Sequence, residues 1–344
     1  MKAAILEKLK SPLLVDEVDL PDKLECGQVL VRVECSTICG AQIGEIDGVK
    51  GEDKYLPHLL GHEGCGYVEE TGRGVTTVKV GGKVVMHWRK GVGIEAPFPK
   101  YYRNRDGKII GGGNITTFNE YAVVSENHLT SIDEDVPSDI ASLMGCAVTT
   151  ALGLINNEAK LKIGQSIAIL GCGGIGLNII QGAAMVSANP IIAIDKSVDK
   201  LGLAKLLGAT HVINTNKEEL RYRIFEIIGK VDVFVDCTGN TSLIDEAFQS
   251  VASGGRMILV GQPKYSLSLI LTGMGQNYCG KVLMDSQGGL TNPSVDIPRY
   301  LKLYEEGKLI LDKIITDSFR LDDINRAIEL VKSGAVLGRA LIRM

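Results

Sequence analysis

Ile167-Ala168-Ile169-Leu170, Gly171-Cys172-Gly173-Gly174-Ile175-Gly176 and Leu177-Asn178-Ile179-Ile180 follow one another without interruption. An apolar run of strand length meets a glycine turn, which opens onto a segment of helical character. Each glycine has a physical reason to be there. Gly171 permits the tight turn, Gly173 lets a pyrophosphate approach the backbone, and Gly176 lets the helix pack on the strand, while the amide beside Gly174 lies at a helix start. Asp195 closes the next apolar run, 19 residues after Gly176. A carboxylate there accepts hydrogen bonds from both adenosine ribose hydroxyls and repels a 2′-phosphate, which favours NAD, with Lys196 alongside keeping NADP as the lesser reading. A glycine turn without a ligand is the bland alternative, and the strand–turn–helix context argues against it.

Working outward, strand-like runs at 166–170, 190–195, 211–214, 231–237, 256–260 and 281–284 alternate with helix-like ones. Ser197 is a candidate N-cap and Gly208 a stop for a helix over 197–207, and 217–228 places Leu220, Ile224, Ile227 and Ile228 on one face. Six such units predict an α/β fold with a doubly wound parallel sheet. The first 145 or so residues read differently, as short strands with turns at 28–35, 66–70, 83–86 and 120–124, with Val29, Val31, Val33 and Cys35 sharing a face. After Gly289, 297–306 and 322–332 read as amphipathic helices and 340–342 as a last strand.

Composition narrows the function classes. With 45% hydrophobic and 23% charged residues over 344 positions, disorder is excluded and two sizeable cores are possible. A net charge of −4 without a basic tail argues against nucleic acid or a membrane surface as partner. The apolar stretch 166–194 carries glycines, Asn178, Gln181 and Pro190, which fit strand, turn and helix better than a lipid-facing span. Glu7, Lys8 and Lys10 interrupt any signal-peptide core, and eight dispersed cysteines do not make a disulfide scaffold, so a reducing, cytoplasmic setting is expected.

Two of those cysteines and one histidine stand in suggestive surroundings: Cys39 in Cys35-Ser36-Thr37-Ile38-Cys39-Gly40, His62 in Gly61-His62-Glu63-Gly64-Cys65-Gly66, and Cys146 in Gly145-Cys146-Ala147-Val148-Thr149-Thr150. Two thiolates and an imidazole suit a zinc ion with an open fourth position. Taken singly, Cys146 reads as a core thiol and His62 as a turn residue. A closed knot of Cys35, Cys39, His62 and Cys65 is a competing grouping, but it leaves the dinucleotide unit unexplained.

Taken together, these segments resemble the zinc-containing medium-chain alcohol dehydrogenases along the whole chain. The resemblance implies a GroES-like β-barrel catalytic domain over 1–147 and 288–344, with a Rossmann NAD-binding domain over 148–287. It implies Cys39, His62 and Cys146 as ligands of one catalytic zinc, Glu63 as the acidic neighbour of that metal, Ile175 against the nicotinamide, Lys200 on the adenosine side and Arg339 near the pyrophosphate. A homodimer or homotetramer is implied by analogy. The activity implied is hydride transfer between NAD(H) and an alcohol, polyol or sugar-like hydroxyl.

Two departures from the family pattern carry information. Many relatives hold a structural zinc with four cysteines in the lobe that corresponds to 88–119, which here contains none, so that zinc is expected to be absent. The lobe is instead basic, with Arg89, Lys90, Lys100, Arg103, Arg105 and Lys108 against Glu95 and Asp106. It reads as a solvated or subunit-contacting loop, or else as a collector for an anionic, phosphorylated or nucleotide-linked sugar. The family's usual proton-relay hydroxyl and histidine are replaced by Ala41 and Gly44. A water chain, Glu45, Glu63 or Thr150 then has to take the alcohol proton, with Gln42 as a spacer. Loss of the relay also admits a third reading, a zinc- and NAD-binding protein without catalysis.

Overall fold

The computed structural model describes residues 1–272 and 279–344. It forms two compact units, one of Met1–Thr149 with Asn292–Met344 and one of Thr150–Thr291.

The second unit is built on a six-stranded parallel sheet in the order His211–Asn214, Ile191–Asp195, Ile167–Leu170, Val231–Asp236, Val251–Leu259, Val282–Asp285. Ile167–Leu170 lies centrally and all four of its residues are buried, which is why it reads as a continuous apolar run rather than an alternating one. Ser197 caps helix Val198–Leu206, its side chain accepting from the Lys200 amide, and Gly208 follows at φ +115°. Helix Leu220–Ile228 buries Leu220 and Ile224, but Ile228 is 39% exposed. Eight residues at about 100° each carry it roughly 80° around from Leu220, to the edge of the apolar stripe.

The glycine turn is built as its residue types require. Gly171 has φ +96°, nothing lies within 4 Å of where a Cβ on Gly173 would stand, and a Cβ on Gly176 would meet the Gly171 carbonyl oxygen at 2.0 Å. Gly176→Ala is therefore expected to force helix Gly174–Met185 off its strand, at a cost of about 1–3 kcal/mol. A thermal scan showing an unchanged midpoint would contradict that packing.

The first unit holds a closed five-stranded barrel, Lys2–Leu6, Leu14–Asp19, Lys100–Arg103, Ile109–Gly111 and His58–Leu59. Beside it lies a seven-stranded sheet in the order Leu129–Ser131, Lys83–His87, Glu63–Thr71, Gln28–Thr37, Arg339–Arg343, Ile315–Arg320, with Tyr121–Ser125 also on Gln28–Thr37. Val29, Val31, Val33 and Cys35 all point inward, as their alternation requires.

The basic stretch departs from the loop expected of it. Lys100–Arg103 and Ile109–Gly111 are barrel strands, and Arg103 is buried on Glu7 and Asp106. Arg105 pairs with Asp16 at 3.1 Å, Lys108 with Glu7 at 3.8 Å and Lys90 with Glu95 at 2.5 Å. Lys100–Arg103 carries charge on both faces, Lys100 outward and Arg103 inward, and Ile109–Gly111 is only three residues long, so neither strand shows a readable period.

Candidate metal centre and dinucleotide turn

Strand Gln28–Thr37 organises the metal-binding residues through its two neighbours. On one side Gly64 pairs with Ser36, which brings Glu63 level with Thr37. On the other, Leu341 pairs with Thr37 in an antiparallel register, which brings Arg339 level with Cys39, and the Ile38 amide donates to the Ala340 carbonyl at 3.0 Å. Cys39 then caps helix Gly40–Ile46, with its own amide held by the Gln42 side-chain oxygen at 2.7 Å. Cys146 arrives through Gly145, which must be glycine because a Cβ there would meet the Met86 carbonyl oxygen at 2.3 Å and the Glu63 Cα at 2.8 Å.

The result is a cluster in which ligand atoms of Cys39, His62, Glu63 and Cys146 all lie within 4.8 Å of one another. Cys39 is 4% exposed, Cys146 6% and Glu63 0%. His62 Nε2 is buried without a hydrogen-bond partner, and with the ring proton on Nδ1 its lone pair is an acceptor that a cation would satisfy. Two sulfurs and an imidazole are the donor set of an open zinc site, so the residues present fit that ion. The alternative knot does not form, since the Cys35 thiol donates to the Ser138 carbonyl oxygen and Cys35 and Cys65 lie outside the cluster. Burial pushes the Cys65 thiol up to about 12, in the inert range.

Electrostatics separate the two cluster thiols. The hydrogen bond from Cys146, helped by the Arg339 and His62 charges and opposed by burial, holds Cys39 well below the ordinary cysteine value, while the same bond and burial drive Cys146 well above it. The pair therefore gives up a first proton easily and presents a thiolate to a metal.

Glu63 is fixed on every side. Its Oε1 accepts from Arg339 Nη1 at 2.9 Å, its Oε2 from the Ala147 amide at 3.1 Å, and its carbonyl oxygen from Ser36 Oγ at 2.8 Å. Burial raises its pKa and the Arg339 charge draws it back. Arg339, expected at the pyrophosphate, thus has its Nη1 on Glu63 and on the Ile38 carbonyl oxygen at 2.8 Å, with Nε a buried donor still open to a ligand. This pairing is what sequence reasoning missed.

Glu45 lies in a second group, with Asp53 and His58, and Thr150 is buried in helix Ala147–Gly153. In the other unit, Asp195 Oδ2 accepts from the Cys172 amide at 2.8 Å and Oδ1 from the Ser197 amide at 2.9 Å, so one carboxylate ties the glycine turn to the next helix cap. Gly171, Gly173 and Ile175 are partly exposed along that turn, and Lys200 stands half-buried in the first turn of the capped helix. Buried Asp236, at the carboxyl end of the neighbouring strand, accepts from the amides of Thr238 and Gly239 and escaped notice in the sequence.

Comparisons with known proteins agree with this arrangement. Residues 25–134 match the alcohol dehydrogenase GroES-like domain family and 174–293 the zinc-binding dehydrogenase family. The chain is 32% identical to S-(hydroxymethyl)glutathione dehydrogenase of Paracoccus denitrificans, covering 97% of each, and 31% identical to alcohol dehydrogenase 6 of Peromyscus maniculatus, covering 99% of this chain and 97% of that one. Among solved structures, benzyl alcohol dehydrogenase from Acinetobacter calcoaceticus superposes with a TM-score of 0.88 at 25% identity, covering 100% of this chain and 99% of that one. The alcohol dehydrogenase of Aeropyrum pernix superposes with a TM-score of 0.82 at 26% identity, covering 100% of both chains. With its GroES-like and Rossmann halves and its two-cysteine, one-histidine cluster, the chain belongs to the zinc-containing alcohol dehydrogenase family.

Proposed function

We propose that the protein is a zinc-dependent, NAD-linked dehydrogenase of an alcohol, polyol or sugar-like hydroxyl, working in either direction, with one zinc held by Cys39, His62 and Cys146. The observation that carries this reading is the convergence of those three side chains and Glu63 in a chain of this family. Zinc, when bound, supplies a Lewis acid that lowers the pKa of the substrate hydroxyl, and NAD supplies the hydride acceptor. The chain's own part is to hold and orient. Arg339 balances Glu63, Glu63 anchors the Ala147 amide beside Cys146, and Gln42 fixes the Cys39 backbone. Glu63, wholly buried and committed to Arg339, is poorly placed to pass a proton to solvent, whereas Glu45, with 43% of its side chain exposed, has access to water. Residues 88–119 offer no thiol for a second, four-cysteine zinc.

Asp195 supports NAD over NADP. Asp195→Asn removes the repulsion toward a 2′-phosphate, and kcat/KM is expected to fall about tenfold with NAD and to rise with NADP, a hydrogen bond to a charged acceptor being worth roughly 1.5 kcal/mol. Steady-state kinetics with both cofactors checks it, and unchanged selectivity would remove Asp195 from the ribose site. The anionic-sugar reading has lost its main support, because four of the lobe's six cations sit on carboxylates. A homo-oligomer through the sheet edge is supported by edge strand Val282–Asp285, with Val282, Tyr265, Leu267 and Ile270 exposed nearby in sequence. A reducing, cytoplasmic setting is supported by eight cysteines that are all free.

NADH formation across a panel of primary alcohols, polyols and sugars, with zinc-loaded protein, tests the reading. Activity on one class, abolished by a strong chelator, is expected. Silence across the panel with zinc and NAD both bound would favour the non-catalytic alternative.

A further inference from the structure

Just past the edge strand Val282–Asp285 the chain makes a left-handed turn. Gly288, Gly289 and Leu290 stand in succession at φ +68°, +70° and +49°. Glycine takes that region freely, but a leucine there is strained, and it stays only where its neighbours over-determine the backbone. Those neighbours are consecutive residues of the π-helical stretch Leu154–Ala159. Asn157 Nδ2 donates to the Gly289 carbonyl oxygen at 2.8 Å and to that of Leu290 at 3.3 Å, and Glu158 Oε1 accepts from the Gln287 amide at 2.8 Å. The approach is close, since a Cβ on Gly289 would meet the Thr150 carbonyl oxygen at 2.5 Å and the Leu154 nitrogen at 2.6 Å. Glu158 is 3% exposed, and among the described residues its Oε2 is buried without a partner, so the carboxylate works on the Gln287 amide.

What lies over that turn follows from the strand order. All six strands are parallel, so residues 286–291 leave the sheet at the same end as the glycine turn, the end at which a doubly wound sheet takes its ligand. Asp195 closes the strand on one side of Ile167–Leu170, and the glycine turn follows Ile167–Leu170 itself. With the adenosine ribose at Asp195 and the pyrophosphate at the turn, the nicotinamide half is directed the other way, over Val231–Asp236 and Val251–Leu259 toward Val282–Asp285. All of these residues belong to the Thr150–Thr291 unit. We propose that Asn157 and Glu158 are positioning residues for the cofactor: they set the left-handed turn Gly288–Leu290 as the wall against which the nicotinamide half of NAD lies. Both act through the backbone of residues 287–290 and do not touch the cofactor themselves. The proposal rests on the NAD-linked reading above and adds to it the residues that shape one end of the site.

Calorimetry on the full-length protein tests it with NADH and with ADP-ribose, which has the adenosine, the pyrophosphate and the second ribose but no nicotinamide. Asn157→Ala and Glu158→Ala are each expected to bind NADH about tenfold more weakly, the effect of one lost backbone anchor, and to bind ADP-ribose as wild type does. Unchanged ADP-ribose binding also reports that the variants are folded. Glu158→Gln keeps an oxygen for the Gln287 amide and is expected to bind NADH within about twofold of wild type. Asp195→Asn, on the adenosine side, is expected to weaken both ligands alike. Alanine variants that bind NADH as tightly as wild type, or that lose NADH and ADP-ribose in equal measure, would overturn the proposal while leaving the NAD linkage in place. Glu158→Gln as weak as Glu158→Ala would overturn it too, because the amide contact would then not be the cause. A wild-type protein that binds neither ligand would instead remove NAD as the cofactor, and the proposal with it.

Discussion

Cys146→Ser is expected to strip the thiolate centre of its zinc and to lower kcat/KM by about three orders of magnitude or more. Donor chemistry sets the size of the effect. A serine hydroxyl keeps the shape of the side chain but loses the soft, easily ionised donor on which a two-cysteine, one-histidine set depends. The Lewis-acid contribution of a catalytic metal is worth several kcal/mol, and about 4 kcal/mol is a thousandfold in rate. Cys172 provides the control. It is as fully buried as any residue in the chain and burial holds its thiol far up in the protonated range, but it lies in the other unit, on the glycine turn. Cys172→Ser is expected to leave zinc content unchanged. Metal analysis beside initial-rate kinetics distinguishes the two variants; a Cys146→Ser protein that retained both zinc and activity would disprove the ligand assignment.

The second large effect concerns the pair beneath that centre. Glu63 and Arg339 are 0% and 4% exposed, and Nη1 meets Oε1 at 2.9 Å. Removing one partner of such a pair leaves a charge stranded in the interior, at a cost of about 3–5 kcal/mol. Arg339→Met is therefore expected to lose about that much stability. Glu63→Gln/Arg339→Met should recover most of the loss, because glutamine can still accept from the Ala147 amide and no charge remains unpaired. Trp88, the sole tryptophan, lies in the same unit with its amide against the Gly145 carbonyl oxygen, so urea unfolding followed by its fluorescence reports locally. Free zinc must be held constant across the series, since an ion that binds only the folded state adds its own stability. A single variant within about 1 kcal/mol of wild type, or a double variant no better than the single, would contradict the role given to the pair.

How far the sequence could be read depended on how local each signal was. The Ile167–Gly176 stretch announces its fold because strand, turn and helix are contiguous, and the observed positive φ at Gly171 and the close approach at Gly176 answer to the residue types present. Ser197 and Gly208 marked helix ends for the same reason. Cys39, His62 and Cys146 carry no local spacing code. They became legible only through resemblance to a family, because the ion they suit is assembled from a helix cap, a strand entrance and a glycine-led turn far apart in the chain.

The contacts that stayed hidden are set by register between distant strands. Glu63 and Arg339 are 276 residues apart and meet because both strands that carry them pair with the end of Gln28–Thr37. Arg103 gives no hint of burial until Lys100–Arg103 closes a barrel against Leu14–Asp19. The gathering of Glu45, Asp53 and His58 depends likewise on a helix, a loop and a two-residue strand that no periodicity could place together.

The atoms that surround zinc in the enzyme decide whether Cys39, His62 and Cys146 hold it. X-ray absorption at the zinc edge, recorded on zinc-loaded protein after dialysis to leave only the tightly held ion, reads the donors directly. Two sulfurs near ~2.3 Å and an imidazole nitrogen near ~2.0–2.1 Å, with a light atom completing the shell, are the expected result. A shell of four sulfurs, or one of nitrogen and oxygen alone, would contradict the assignment of Cys39, His62 and Cys146 to the centre.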